Sequence, residues 1–228
     1  MYQLWIANKN YSSWSLRPWI LLRQLGIAFS EQLTPFTGSS SWQSFRKFSP
    51  TGRVPCLIDG DLTVWDSLAI TEYLAERHDG VWPSAPQARA WARCAAAEMH
   101  AGFATLRTHC GMNCGLLVRL HAITPALQRD LERIDELSSE SLQRFGGPFL
   151  TGSAFTAADA FFAPVAFRVQ TYSLPLSADG AAYAARLLAL PAMHSWYRDA
   201  LAETWRDVEH DAEVRQHGTV LEDLRTAG

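Results

Sequence analysis

Residues 78–86, HDGVWPSAP, separate two stretches of chain that follow different periodicities. A glycine and two prolines within nine residues interrupt any regular element, so this stretch reads as a linker. Upstream, short strand patterns alternate with helical ones. Downstream, no strand pattern is recognisable. A chain built this way divides into an α/β unit followed by a helical one. The expected boundaries are 1–78 for the first domain, 79–88 for the linker and 89–228 for the second.

The upstream elements follow from spacing. YQLWIA places Tyr2, Leu4 and Ile6 on one face, the period of a strand. WSLRPWILLRQL has helical spacing and stops at Gly26, while IAFSEQL reads as a second strand. TPFTGSSSW is turn-rich and precedes a short helix, SWQSFRKF. VPCLID, a turn at Gly60-Asp61 and LTVW form a hairpin. A helix from Ser67 then carries Ala69, Ile70, Tyr73 and Leu74 inward. The order β-α-β-α-β-β-α implies a compact unit with a mixed sheet.

Downstream, QARAWARCAAAEMHAGFATLRTHC is alanine-rich and reads as one helix. TPALQRDLERIDELSSESLQRFG is amphipathic, with Pro125 near its start and glycines after its end. TAADAFFAPVAFRV, AAYAARLLAL and PAMHSWYRDALAETW complete an all-helical half. The net charge of −3 gives no basic footprint for nucleic acid or an acidic membrane surface. Four cysteines in 228 residues form no disulfide framework, which favours a reducing cytoplasm. MYQLWIANK has neither the charged start nor the cleavage site of a secretory leader, and no apolar run is long enough to span a bilayer. A soluble cytoplasmic protein is expected.

Three places can carry chemistry. Ser12, Ser13 and Ser15 crowd the start of the first helix, where a hydroxyl either caps the free N–H groups or meets an anion drawn to the same N-terminus. Val54-Pro55 precedes a strand and leaves the Val54 backbone free to pair with something extended, the alternative being an ordinary turn. Asp66-Ser67 stands at a strand end and opens a helix, as a cap or as a carboxylate-binding pair. All three converge on one edge of a small sheet. Cys110 and Cys114 have i,i+4 spacing, but a zinc site needs more ligands, and no metal is expected.

With these motifs in place, the chain resembles the glutathione transferase family over almost its whole length. The resemblance rests on RVP at 53–55, DS at 66–67 and FTAADAFFAP at 155–164, similar to the family's buried capping motif with Thr156 as N-cap and Asp159 at the third helical position. It implies a thioredoxin-like first domain, a helical second domain and a homodimer. SSWSLR resembles the serine-type zeta class, whose metabolic role is maleylacetoacetate isomerisation. That likeness makes Ser12 the thiol-activating hydroxyl with Ser13 beside it, and Tyr11 its competitor. Val54 would pair with the cysteinyl backbone of glutathione, Pro55 being cis. Asp66 and Ser67 would hold the γ-glutamyl end, and Arg53 and Ser40 the glycyl end. Arg17, His109, Asn113 and Arg168 would line the pocket for a second, electrophilic substrate. Trp14 stands where the zeta pattern has a cysteine. The implied activities are conjugation, glutathione-dependent cis-trans isomerisation, or binding without turnover.

The magnitudes suffice for thiol activation. A free thiol titrates near ~8.5. Lowering that by about two units takes roughly 2.7 kcal/mol of preference for the thiolate. A hydroxyl hydrogen bond to charged sulfur supplies about 1.5–3 kcal/mol, and a helix N-terminus roughly 0.3–1 kcal/mol more. On this reading no metal, general base or His/Asp relay is required.

Overall fold

The computed structural model describes residues 1–38 and 41–226. Strand β1 (Tyr2–Ile6) sends Leu4 and Ile6 into the core and leads through a buried turn into helix α1 (Ser13–Gln24). Strand β2 (Phe29–Leu33), helix α2 (Ser41–Phe45), strands β3 (Cys56–Asp59) and β4 (Leu62–Trp65), and helix α3 (Ser67–Ala75) follow. The sheet order is β2-β1-β3-β4, with β1 parallel to β2 and the other neighbours antiparallel. This is the mixed sheet that the alternating patterns imply. Gly60 turns the β3–β4 hairpin with a positive φ of 58°, a conformation that glycine adopts without steric cost. On α3, Ile70 and Leu74 are buried, but Ala69 faces solvent and Tyr73 turns its hydroxyl to Asp59 at 2.8 Å.

The second half starts with α4 (Pro86–Ala101) and α5 (Ala104–His109). The expected single helix is broken because Phe103 adopts a left-handed conformation between them. Strand β5 (Leu116–Leu120), helices α6 (Pro125–Phe145), α7 (Ala157–Tyr172), α8 (Ala178–Leu188), α9 (Pro191–Ala202) and α10 (Val208–His217), and strand β6 (Gly218–Asp223) complete the chain. The domain is helical, with a two-stranded β5–β6 ribbon that the sequence patterns did not suggest. Its partners are about a hundred residues apart, and LLVRL is an apolar run whose period is ambiguous. Cys110 ends α5 and Cys114 precedes β5, so the two thiols do not share a helix face. Among the described residues no helix is long and apolar enough to cross a membrane.

Helix α7 is the axis of this half. It is apolar on nearly every side, as a helix surrounded by others must be. Its start is fixed by Asp159, which accepts from Thr156 N–H at 2.9 Å, Leu150 N–H at 2.9 Å and the Tyr183 hydroxyl at 2.8 Å. The linker docks here too, with Ala157 N–H donating to the Val81 carbonyl at 2.8 Å. The last element of contact is Glu203, just beyond α9. Its carboxylate accepts from the backbone N–H of Lys9 at 2.6 Å and of Asn10 at 3.3 Å. Burial pushes the Glu203 carboxyl up, although these donors work against that shift.

Glu203→Ala leaves the two N–H donors buried without an acceptor. Each such loss costs about 1–3 kcal/mol, so the variant is expected to lose about 2–5 kcal/mol of stability. Urea unfolding followed by tryptophan fluorescence measures this. A loss below about 1 kcal/mol would show that the turn after β1 does not depend on Glu203.

Candidate functional site

The turn after β1 is built from buried polar residues. Asn8, Lys9 and Asn10 are all enclosed; the Asn8 carbonyl accepts from Tyr11 and Ser12 N–H, and the backbone groups of Lys9 and Asn10 are matched by the second domain. The Lys9 carbonyl accepts from Trp196 Nε1 at 2.9 Å, and Asn10 Oδ1 accepts from Gly115 N–H at 3.1 Å. This fixes where the chain enters α1 and places Ser12 and Ser13 at its N-terminus.

Ser12 occupies the cap position but does not cap. Its hydroxyl donates to Ser15 Oγ at 2.7 Å, and Ser15 Oγ in turn accepts from Ala7 N–H at 3.4 Å. The expectation that one of these hydroxyls caps α1 is therefore corrected: the serines bond to one another and to the end of the sheet. Pro18 lies in the second turn of α1 rather than the first, so the Trp14 carbonyl lacks its usual helical donor.

Two adjoining cavities open at this point. One, about 600 Å³, is bounded by Thr51, Arg53, Val54, Pro55, Asp66 and Ser67, with His100 and Trp65 at its side. The other, about 470 Å³, is bounded by Ser12, Ser13, Phe36, Arg107, Arg168 and His210 among others. Trp14, Arg53 and Val54 line both. The Val54–Pro55 peptide is cis, and the Val54 N–H and carbonyl have no partner among the described residues. Asp66 caps α3, accepting from Leu68 N–H at 2.8 Å, and its second oxygen lies 3.4 Å from His100 Nε2. Ser67 is fully buried at the cavity floor and its hydroxyl accepts from Arg17 Nη1 at 3.3 Å.

The electrostatics are one-sided. Arg107 and Arg168 line the second cavity and Arg17 lies behind Trp14, yet none makes an ion pair among the described residues. Arg17 lies 4.1 Å from the Trp14 ring and 4.7 Å from Phe161, and Arg107 lies 4.9 Å from Trp14. Burial, and then the neighbouring arginines, lower the guanidinium of Arg17 far below its ordinary range and that of Arg168 to about 10. Uncompensated buried cations favour an anion in the cavity they face.

The structure does not bring together every residue expected here. Arg17 lies beneath Trp14 in the core and lines neither cavity. His109 stacks on His217 with ring centroids 4.4 Å apart, and Asn113 is buried with Nδ2 donating to Asp211 at 3.1 Å. Both are corrections, since this segment lines the cleft through Arg107, Gly111 and Met112 instead. Arg168 does line the cleft, with Nε donating to the Cys110 carbonyl at 2.8 Å. Ser40 lies outside the described residues. Met112, His210 and Glu213 were missed. The one sequence signal for them was Asp207 three residues before His210, a cap-like pair at a helix start.

Tyr11 lines the cleft with its ring, but its hydroxyl is engaged on the far side. It accepts from Arg225 Nη1 at 2.8 Å and from Asp207 N–H at 3.3 Å, and donates to Asp211 at 3.3 Å. Burial, reinforced by the Asp211 charge, pushes the phenol up to about 12. A group so placed is a poor partner for a thiolate at neutral pH.

The comparisons agree with this architecture. Residues 11–77 match the family model of the glutathione S-transferase N-terminal domain, and residues 73–199 that of the C-terminal domain. Glutathione S-transferase 1 of Dianthus caryophyllus is 28% identical over 170 residues, covering 71% of this chain and 74% of its own. A dichloromethane dehalogenase of Methylorubrum extorquens is 42% identical over 59 residues, which is 25% of this chain. That match spans only 20% of the dehalogenase. Among solved structures, a glutathione transferase homolog from Burkholderia with bound glutathione superposes with a TM-score of 0.65 at 22% identity, covering 87% of this chain and 97% of its own. Maleylacetoacetate isomerase from Methylobacterium extorquens AM1, with malonate and glutathione bound, gives 0.63 at 23% identity over 86% and 95%.

The hydroxyl of Tyr11 gives a direct test of the site. Tyr11→Phe is expected to lower stability by about 1–3 kcal/mol, because Arg225 and the Asp207 N–H lose a buried acceptor. The ionisation of a thiol ligand held in the cleft should stay at its wild-type position. A thiol titration displaced upward in this variant would return Tyr11 to the role of thiol donor.

Proposed function

This chain belongs to the glutathione S-transferase family, and from that premise we propose that it activates the glutathione thiol at Ser12 for attack on a small electrophile. The observation that carries this reading is the cleft at the start of α1, where the Ser12 and Ser13 hydroxyls share a cavity with Arg107 and Arg168, neither of which makes an ion pair among the described residues. An anion is what such a cavity stabilises, and a thiolate is the anion that the reaction needs.

The hydroxyls supply the donor. Ser15 accepts from Ala7 N–H and can turn its proton toward Ser12, which frees the Ser12 proton for sulfur. Hydroxyls in series polarise one another, and the last one donates more strongly. Ser13 is the first residue of α1 and adds the positive end of the helix. The tripeptide would lie along the first cavity. The free backbone of Val54 suits the cysteinyl unit, the Asp66 carboxylate the γ-glutamyl ammonium, and Arg53 the glycyl carboxylate. The N-terminus of α3 at Ser67 suits the γ-glutamyl carboxylate. The second cavity, with Arg168 and Arg107 in its wall, would take the electrophile.

Ser12→Ala is expected to raise the pKa of bound glutathione by about 1–2 units, equivalent to the 1.5–3 kcal/mol of a hydrogen bond to a charged acceptor. Turnover at neutral pH should fall about 10-fold or more. Thiolate absorbance against pH measures the shift, and an unchanged titration with unchanged turnover would sink the assignment. Consumption of glutathione separates conjugation from cis-trans isomerisation, in which glutathione is regenerated.

The second copy of a homodimer would sit against β4. This edge strand has an unpaired ladder and exposes Leu62 at 54% on one face and Trp65 at 45% on the other. Leu62→Glu places a charge there and is expected to shift the protein toward monomer in light scattering. A monomeric wild type would remove the proposal.

A further inference from the structure

We infer that His210, oriented by Asp207, is a catalytic acid that delivers a proton to the second substrate when that substrate undergoes addition rather than substitution. The inference rests on the transferase reading above. Both residues lie beyond the segments that match the family models, so the pair belongs to this chain's own C-terminal region.

The geometry is that of an oriented imidazole. His210 Nδ1 lies 3.0 Å from Asp207 Oδ1, and Asp207 is almost wholly buried while the His210 side chain is 37% exposed. With a carboxylate at Nδ1, the neutral ring carries its proton there and presents Nε2 as an acceptor. Nε2 has no protein partner among the described residues. The ring stacks on Tyr11 at 5.2 Å and lies tilted against Phe36 at 5.1 Å. Tyr11 adjoins Ser12, and His210, Ser12 and Ser13 line one cavity. The Asp207 carboxylate does not depend on the imidazole for its place, because it also caps α10 by accepting from the His210 backbone N–H at 3.0 Å. Burial pushes its carboxyl up, but the His210 backbone N–H and then the imidazole outweigh this and hold it below its ordinary range.

Addition to an unsaturated carbonyl needs such a group. In addition and substitution alike, glutathione gives up its thiol proton to solvent on binding and becomes the thiolate held by Ser12, while Nε2 takes up a proton from solvent. The sulfur pair forms a bond to the β-carbon, and the C=C π pair moves toward the α-carbon as an enolate. Nε2 gives its proton to the α-carbon, leaving neutral imidazole and a saturated thioether. Nothing is oxidised or reduced beyond this exchange. Displacement of halide from an activated ring has no such step, since the leaving halide takes no proton.

The test compares the two reactions in the full-length protein with glutathione. The probes are 4-phenyl-3-buten-2-one for addition and 1-chloro-2,4-dinitrobenzene for substitution. His210→Gln is expected to lower the ratio of addition to substitution in kcat by about 10²-fold, within the range of general acid catalysis. Asp207→Asn, a change in a positioning residue, should lower the ratio less and alter the solvent deuterium isotope effect on addition. In His210→Ala, added imidazole should restore addition selectively. Any of these variants keeps the His210 backbone N–H, so the cap of α10 survives the substitution. Equal losses in both reactions, no loss, or no rescue by imidazole would overturn the role of His210. Failure of the wild-type protein to conjugate either probe would instead overturn the transferase reading, and this inference with it.

Discussion

The Glu203 carboxylate holds the turn after β1, and most of the cleft depends on that contact. A buried loop cannot leave its N–H groups to water, so Lys9 and Asn10 must find acceptors inside the protein. Glu203 supplies them from the end of α9, and the Asn10 amide donates back to the Ala200 carbonyl and to Glu203. Lys9 is enclosed as well, its ammonium placed between Glu31 at 2.8 Å and Asp199 at 2.9 Å and over the rings of Trp19 and Trp196. The α/β half therefore receives the geometry of the turn before α1 from the helical half. Neither half can place Ser12 by itself.

The same coupling explains the division of charge around the cleft. Carboxylates that could neutralise the cleft arginines are engaged elsewhere. Glu203 binds backbone, Asp159 fixes α7, and Asp211 and Asp223 hold Arg225 near Tyr11. Glu213 is the one carboxylate in the cavity wall, and it makes no ion pair there with Arg107 or Arg168 among the described residues. Trp14, between Arg17 and Arg107, gives those cations an aromatic face instead of a carboxylate, an interaction of about 0.5–2 kcal/mol that leaves their charge unneutralised. An arrangement that leaves these cations without ion pairs favours an anionic ligand.

The C-terminal segment decides between the two hydroxyl types beside β1. Arg225 and Asp211 draw the Tyr11 hydroxyl away from the cavity, while its ring stays as a wall against which His210 stacks. Serine is then the only hydroxyl type left at the start of α1. The β5–β6 ribbon makes this possible by returning the chain from α10 toward Gly115, where Leu224 N–H donates to the Gly115 carbonyl at 2.8 Å.

Local sequence determined the first domain's element order, the β3–β4 turn at Gly60, the caps at Asp66 and Thr124, and the Thr156–Asp159 start of α7. These follow from spacings of a few residues, where turn chemistry and hydrophobic period act directly. Sequence also drew attention to Ser12, Val54 and Asp66, because their residue types are conspicuous at strand ends. It did not disclose that Ser12 bonds to Ser15, that His109 and Asn113 lie outside the cleft wall, or that His210, held by the buried Asp207, lines it. Those facts depend on contacts between residues far apart in the chain, with Tyr11 meeting Asp211 and Arg225, and Asn10 meeting Glu203. Periodicity reports which side of an element is buried, but not against what. Only the packing of one half on the other decided which polar groups were consumed in holding the fold and which were left free to act.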